Sequence, residues 1–244
     1  MNTITFYGRT DVGLVRPNNE DALLADKEAN FCLVADGMGG AAAGETASQI
    51  FVQTTGEIFN QQRIASQADA LERVKKSFIN ANDRILDHVK AFPQHRGMGC
   101  TAEVLAFSED TFIVGHIGDS RTYRLRGHHL KQLTRDHSLV QDQLDQGAIT
   151  LEQARSHTMR NVILRAVGVR PSLEVDTMHG PVQPGDLFML CSDGLTDMVE
   201  DQVIASVLAL EASPSEKVEQ LITLAKQAGG KDNITVLLAL VEPA

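Results

Sequence analysis

The amino-acid sequence predicts an α+β fold in which strands and helices occupy separate layers. The first observation is a series of short strand-like segments between Cys100 and Leu133, joined by turns, which is typical of an antiparallel meander. The second is that the helix-like segments are grouped before and after this series. Because strands and helices do not alternate along the chain, a parallel sheet built from βαβ units is not expected.

Two strands and two helices are predicted before Cys100. Residues 3–8 alternate weakly between apolar and polar, and residues 31–35 form a short apolar run, so both predict strands. Residues 42–59 are helix-like in composition. Farther along, apolar residues recur about every 3.6 positions, which predicts an amphipathic helix that ends before Pro93. These residues are Leu71, Val74, Phe78, Ile85 and Val89.

The second half of the chain is richer in strands. Residues 137–167 are polar and helix-prone, and they interrupt the strands like an insertion laid over the domain. Ser213, Pro214 and Glu216 form a capping box with proline at the first helical position, so a helix is expected to begin there and to end at Gly229-Gly230. The predicted strands are residues 104–107, 112–117, 122–125, 129–133, 187–191 and 234–241.

Composition and charge limit what the protein can be. The chain has 244 residues, of which 43% are hydrophobic and 22% charged, and a formal net charge of −10. These proportions are those of a folded domain, and the length suffices for a large core. No linker or repeat divides the sequence, so a single domain over residues 1–244 is expected. The acidic balance argues against binding nucleic acid or an anionic membrane surface.

The cysteines and the N-terminus indicate a cytoplasmic protein. Cys32, Cys100 and Cys191 are odd in number, far apart and free of any CxxC spacing, which favours buried thiols in a reducing compartment. The N-terminal residues have no basic start followed by an apolar stretch, so a signal peptide is not expected. No apolar run approaches the length of a membrane span.

Aspartates recur where predicted strands end or begin. Asp36, Asp119 and Asp193 follow apolar strands, and Asp232 precedes the final one. A single Asp-Gly pair is most simply a turn, but four acids at strand ends can converge on one edge of a sheet. Clustered carboxylates repel each other, and protonation or a metal ion relieves the repulsion. Oxygen ligands without a histidine or cysteine cluster favour Mg²⁺ or Mn²⁺ over Zn²⁺.

Eight short motifs occur in order along the chain and resemble those of one family. They are RPNNED (16–21), VADGMGG (34–40), GETAS (44–48), GMGCT (97–101), GDSR (118–121), LTRDH (133–137), CSDGLTD (191–197) and GKDNITV (230–236). Together they resemble the bacterial metal-dependent serine/threonine protein phosphatases of type 2C. The resemblance covers residues 6–241. It implies a four-layer α-β-β-α sandwich of two antiparallel sheets flanked by helices, with residues 137–167 as a flap insertion.

The resemblance also implies roles for individual residues. Two Mn²⁺ or Mg²⁺ ions would be held tightly and a third more weakly; the metal positions are Asp36, Gly37 through its carbonyl, Asp119, Asp193 and Asp232. Asp36 would bridge the two tight ions, and Asp119 would hold the third. Asp21 would orient the water around the ions, whereas the role of Glu20 stays open. Arg16 would bind the substrate phosphate, a task that suits a planar bidentate donor.

The implied reaction is direct hydrolysis of phosphoserine and phosphothreonine by a water between two ions, with Arg16 and the metals offsetting phosphate charge. The general acid is left open, because Met38 stands where many eukaryotic relatives have histidine; metal-bound water or a histidine from elsewhere in the chain could serve. His137 and His157 are the histidines that could face the substrate. Cys100, where threonine is more usual, is expected to be simply buried, with sensitivity to oxidation as the alternative.

Partners follow from the same resemblance. The expected substrates are phosphorylated proteins in bacterial signalling, with a cognate serine/threonine kinase as a partner and a monomeric state. The 137–167 flap would lie beside the active site and could select substrates or gate release. Three rival hypotheses are another two-metal phosphoesterase such as a nuclease, an inactive relative that binds phosphoproteins, and a phosphatase of a sporulation- or stress-type regulatory switch. The motifs and the acidic charge disfavour the first, and the presence of Asp36, Asp193, Asp232 and Arg16 disfavours the second. The third shares the chemistry and differs only in its partner.

Overall fold

The protein is described by a computed structural model that covers residues 3–39, 43–60, 63–155 and 157–242. Two five-stranded antiparallel sheets form its centre. The first sheet has the strand order β1-β10-β9-β6-β7, with β1 Thr3–Asp11, β6 Arg121–Arg126, β7 His129–Gln132, β9 Leu187–Cys191 and β10 Ile234–Glu242. The second has the order β2-β3-β4-β5-β8, with β2 Asp21–Asp26, β3 Phe31–Met38, β4 Gly99–Ser108, β5 Thr111–Ile117 and β8 Asp176–Pro181.

The helices cover the outer faces of the two sheets. The second sheet carries α1 (Ala43–Phe59) and α2 (Gln67–Ala91), which bury an aromatic and aliphatic cluster against it. The first sheet carries α6 (Asp201–Leu208) and α7 (Pro214–Gln227). A third apolar cluster, including Phe188 and Leu237, fills the space between the sheets. The predicted α-β-β-α sandwich is therefore confirmed. Short helices complete the described chain: α3 (Leu139–Asp145), α4 (Leu151–Arg155), α5 (Asp193–Thr196) and a 3-10 turn at Pro93–His95.

Several local predictions hold in detail. The amphipathic stripe forms α2, whose Val74, Phe78 and Ile85 are fully buried and which ends before Pro93. The reciprocal capping box of α7 is present, with Ser213 and Glu216 each bonding the other's backbone. Residue 42, where the first helix was predicted to begin, lies outside the described residues.

The predicted meander between Cys100 and Leu133 is wrong. Strands β4 and β5 pair in the second sheet and β6 and β7 pair in the first, so the chain changes sheet between β5 and β6. Gly118 makes the change, since its φ of +111° is open to glycine and a Cβ there would lie 2.4 Å from Thr101. Strand β8 occupies the edge of β5, and β6 pairs with β9 instead.

The sequence patterns also missed β2 and β8. Strand β8 contains Gly180 and Pro181, which weaken a strand pattern but are tolerated at a sheet edge. In the described ranges, the longest helices are too polar or too short to cross a membrane.

Candidate active site

The four acids at the predicted strand ends, together with Asp21, are drawn from both sheets. Asp21 opens β2 directly opposite Asp36 near the end of β3. In the other sheet, Asp193 follows the end of β9 and Asp232 precedes the start of the antiparallel β10. Asp119 lies in the turn where the chain passes between the sheets. The antiparallel pairing therefore brings all five to one edge of the sandwich.

Asp21 links the two sheets at this edge. It is 6% exposed, and its Oδ2 accepts hydrogen bonds from Ser192 Oγ at 2.8 Å and Thr235 Oγ1 at 2.6 Å. Its other oxygen, Oδ1, is buried without a hydrogen-bond partner among the described residues. Burial raises the pKa of Asp21 to about 6, although the two hydroxyl groups oppose the rise, and the charge of Asp232 adds to it.

The neighbouring acids repel each other strongly. Burial raises the pKa of Asp36, and the charges of the other four acids raise it further. The pKa of Asp193 is raised in the same way, first by burial and then by Asp119 and other acids. Asp119 is 7% exposed, and burial together with Asp136 raises its pKa to about 7. The side-chain Oδ1 atoms of Asp119 and Asp193 are both buried with no partner in the described structure.

These acids fit a hard divalent cation in donor type and in charge. A buried carboxylate oxygen without a partner costs free energy. A bound cation would both supply the missing partner and relieve the repulsion between the acids. As the chain stands, no three histidine, cysteine or acidic side chains within the described ranges are close enough to hold an ion. Asp232 is paired with Arg16 instead: its Oδ2 accepts a hydrogen bond from Arg16 Nη2 at 2.6 Å.

Arg16 is thus beside the acids, as its predicted role requires. Its side chain is about half exposed at 52%, and the pairing with Asp232 raises its pKa. A guanidinium has five donors in a planar fork, so the contact with Asp232 leaves others for a phosphate.

Close backbone packing fixes the end of β3. A Cβ on Gly37 would lie 2.1 Å from the carbonyl oxygen of Gly44, so only glycine fits there. The Gly37 N–H donates to the Glu20 carbonyl at 3.2 Å, and Ser48 Oγ donates to the same carbonyl at 2.6 Å. Glu20 therefore acts here through its backbone, next to Asp21. Gly40, the last residue of the VADGMGG motif, lies outside the described residues.

Asn233 is a positioning residue that the sequence analysis missed. Its Oδ1 accepts from the Glu20 N–H at 2.8 Å, and its Nδ2 donates to the carbonyls of Val12 and Asn18. It thereby ties the loop that carries Arg16 to the start of β10. Ser192 and Thr235, which hold Asp21, were missed as well. Ser192 and Asn233 directly adjoin predicted ligands, and Thr235 follows Asp232 by three residues; all three lie inside the quoted motifs, which was the available signal.

A cavity of about 530 Å³ adjoins two of the acids, Asp119 and Asp193. Its lining also includes Ser138, Gln141 and Arg160 of the 137–167 segment. The predicted helix-prone segment forms α3 and α4 there. Arg160 Nε lies 3.3 Å from Asp197 Oδ2, and both residues line the cavity.

The remaining candidates of the sequence analysis are less central. Cys100 is fully buried, and burial raises its pKa, so the thiol is held protonated as the burial prediction requires. Met38 lies partly buried at the end of β3. His137 is 4% exposed and makes its hydrogen bonds inside the protein. His157 is more accessible, and its Nδ1 accepts a hydrogen bond from the Met159 N–H.

The four-layer sandwich, with buried and mutually repelling carboxylates and an arginine at one edge, fits the class of cation-dependent hydrolases that act on anionic esters. Comparison with known proteins gives the family. The model described as "Protein phosphatase 2C" matches residues 16–228. The chain belongs to the protein phosphatase 2C family and is a protein phosphatase that acts on phosphorylated proteins.

Several relatives are similar over nearly the whole chain. The serine/threonine phosphatase stp of Listeria monocytogenes is 38% identical over 234 residues, which are 94% of this chain and 93% of the relative. The crystal structure of the serine/threonine phosphatase PstP of Mycobacterium tuberculosis superposes with a TM-score of 0.93 at 37% identity, covering 100% of both chains. A structure of the PstP catalytic domain in complex with 2 manganese ions gives a TM-score of 0.91 at 35% identity, again over 100% of both chains.

Proposed function

We propose that this chain removes phosphate from phosphoserine and phosphothreonine in proteins, using Mn²⁺ or Mg²⁺ held by Asp36, Asp193 and Asp232. The observation that carries the proposal is the buried acid cluster, in which Asp36 feels the charge of four other aspartates and three carboxylate oxygens have no partner. When bound, the cations supply Lewis-acid chemistry at the phosphate and a water made nucleophilic near neutral pH.

The protein groups have separate tasks in this proposal. Arg16 binds two oxygens of the phosphate, and its link to Asp232 aims the guanidinium at the cluster. Asp21, fixed by Ser192 and Thr235, orients water beside the cations. The carbonyl of Gly37 adds one more oxygen donor at the end of β3. Because water attacks the phosphorus directly in this proposal, no phosphoenzyme is needed, and none of the three buried cysteines has to act as a nucleophile.

The number of ions is part of the proposal. Two tightly held ions correspond to the 2 manganese ions of the related PstP structure. A third and weaker ion falls to Asp119, with Asp193 as its other protein ligand. The unpartnered Oδ1 atoms of both residues support this assignment.

The setting of the enzyme is proposed from the same family. We infer a monomeric catalytic domain spanning residues 1–244, with residues 137–167 as its flap. The buried, unpaired cysteines fit a cytoplasmic location. The phosphorylated substrates of the family fit a cognate serine/threonine kinase as the opposing enzyme.

The first experiment is hydrolysis of p-nitrophenyl phosphate near pH 8 with Mn²⁺, with Mg²⁺ and with EDTA. We expect activity only with metal, and a loss of at least about a hundredfold in Asp193→Asn, because a buried cation loses a charged ligand. Asp87→Asn is the matched control, since Asp87 is exposed in an ion pair with Lys90. Full activity in EDTA or in Asp193→Asn contradicts the proposal. A folded protein inactive with every metal supports phosphoprotein binding without cleavage.

A further inference from the structure

The backbone just before Asp119 is held by one residue, His137, through both its backbone and its side chain. His137 makes two hydrogen bonds with Gly118, the residue before Asp119. The backbone N–H of His137 donates to the Gly118 carbonyl at 2.7 Å, and the backbone N–H of Gly118 donates to the ring Nδ1 of His137 at 3.1 Å. On the other side of Asp119, Ser120 Oγ bonds Thr101 Oγ1 at 2.7 Å. Asp119 itself has no hydrogen-bond partner at Oδ1 in the described structure, so these neighbours set where its carboxylate lies.

The residues before His137 are also fixed. Thr134 Oγ1 accepts from the Thr122 N–H at 3.0 Å, and the Arg135 carbonyl bonds His116 Nε2 at 2.8 Å. Arg121 holds Asp136 with two nitrogens, at 2.9 and 2.7 Å. His116 is in turn bonded to the buried Glu103 in the middle of the sandwich. His137 is therefore presented to Gly118 from a rigid base.

The contact requires one particular form of the imidazole. Because Nδ1 accepts a hydrogen bond, the ring proton lies on Nε2, which faces Asp176 Oδ2 at 3.2 Å. Burial and the neighbouring His116 lower the pKa of His137, which keeps the ring neutral. The His137 carbonyl also accepts from the Leu164 N–H at 2.7 Å, so the same residue joins the start and the end of the 137–167 segment.

We propose that His137 is a positioning residue that sets the place of Asp119 through the Gly118 backbone and so tunes the cation that Asp119 holds. The inference rests on the proposed function in one respect, the assignment of Asp119 to a cation. The acceptor at Nδ1 is the essential group, whereas the Nε2 contact with Asp176 only fixes the ring. The link to Leu164 connects the placement of Asp119 with the base of the flap.

Two substitutions separate these groups. In His137→Asn the amide oxygen can take the place of Nδ1 and accept from Gly118, whereas in His137→Gln the longer side chain reaches only the position of Nε2. We expect His137→Gln to weaken binding of the third Mn²⁺, the ion assigned to Asp119, by about 10–100-fold in calorimetry on the phosphatase, the range typical when a ligand's support is removed, while the two tighter ions bind as in the wild type. We expect His137→Asn to stay within about threefold of the wild type. The melting temperature of each variant in EDTA reports any general loss of structure.

The outcomes distinguish the inference from the proposed function. If the wild type binds Mn²⁺ and hydrolyses p-nitrophenyl phosphate but both variants bind alike, the inference is overturned and the proposed function stands. If the wild type neither binds nor hydrolyses, both fall.

A measurement on the wild type covers the case in which a variant does not fold. Titration with Mg²⁺, followed by NMR, should shift the Gly118 amide and the His137 Nδ1 resonances together. The shifts should be lost in Asp119→Asn. Unchanged resonances in a protein that binds Mg²⁺ would refute the inference.

Discussion

At the residue scale, the pair of Arg16 and Asp232 joins the proposed phosphate ligand to a proposed metal ligand. The contact is short, 2.6 Å, but both side chains are partly exposed, at 52% and 32%, so its strength lies in geometry more than in charge. A cation would compete with Arg16 for Asp232, and a phosphate would compete with Asp232 for Arg16. When both ligands bind, Arg16 can turn from Asp232 to the substrate oxygens through a side-chain movement alone.

We expect Arg16→Lys to raise KM for a phosphothreonine peptide by about tenfold while kcat changes less, because lysine is a point charge and cannot bind two phosphate oxygens at once. Steady-state kinetics on the peptide give both constants. Arg9→Lys is the control, since Arg9 is an exposed arginine paired with Glu219 away from the acids. An unchanged KM would remove Arg16 from substrate binding.

The sequence named the acids at this edge but not what holds them. The positions of Asp36, Asp119, Asp193 and Asp232 at predicted strand ends led to the expectation that these acids converge, whereas Asp21 was named only through the family resemblance. Ser192, Thr235 and Asn233 were missed because their hydrogen bonds join segments far apart in the chain, and such bonds depend on the register between sheets. No local pattern carries that register.

At the element scale, the end of β3 depends on a close approach between backbones. Gly37 faces the carbonyls of Gly44 and Glu20, at 2.1 and 2.6 Å from the position of a Cβ. This contact lets α1 begin directly beside the strand that carries Asp36. The prediction of a continuous meander failed at the turn between β5 and β6. These strands follow each other closely in the sequence, as in a hairpin, but the turn at Gly118 places them in different sheets.

We expect Gly37→Ala to lower the melting temperature by several degrees and to abolish metal-dependent activity, because the methyl group would overlap backbone atoms that cannot yield. Gly56→Ala, on α1, is the matched control. Its Cβ would meet only Leu24 Cδ2 at 3.4 Å, and alanine is about 0.5–1 kcal/mol better than glycine inside a helix. Thermal melts and the phosphatase assay together check the pair. Equal behaviour of the two variants would contradict the role of Gly37.

At the scale of the whole molecule, the fold gathers a cluster of acids whose mutual repulsion lowers the stability of the folded state. Three apolar clusters, two under the outer helices and one between the sheets, hold the strand ends in place. The acids gathered there carry raised pKa values, so the protein without cations is less stable once they ionise. A fold that positions the site thus gives up stability that bound cations restore.

The pH dependence of unfolding without metal follows from this balance. The pKa values of Asp21 and Asp119 are about 6 and about 7 in the folded protein, against an ordinary 3.8, so the folded chain keeps protons that the unfolded chain has lost. The free energy of unfolding should therefore fall as pH rises from about 4 to about 7. Each pKa unit is worth about 1.4 kcal/mol, and about 1 kcal/mol moves Tm by about 2–4 °C in a chain of this size.

In EDTA we expect Tm to drop by at least about 4 °C between pH 5.5 and pH 7.5, measured by calorimetry, because the loss is complete only above the folded pKa of Asp119. Asp119→Asn should flatten this slope. Comparing the variant with the wild type also cancels the contribution of His137, whose lowered pKa makes stability change with pH in the opposite direction. Saturating Mn²⁺ should raise Tm most at the higher pH, where the acids are ionised and free to bind it. A wild-type Tm that rises with pH in EDTA, or an Asp119→Asn slope equal to that of the wild type, would show that the buried acids do not share the repulsion on which the proposed metal centre depends.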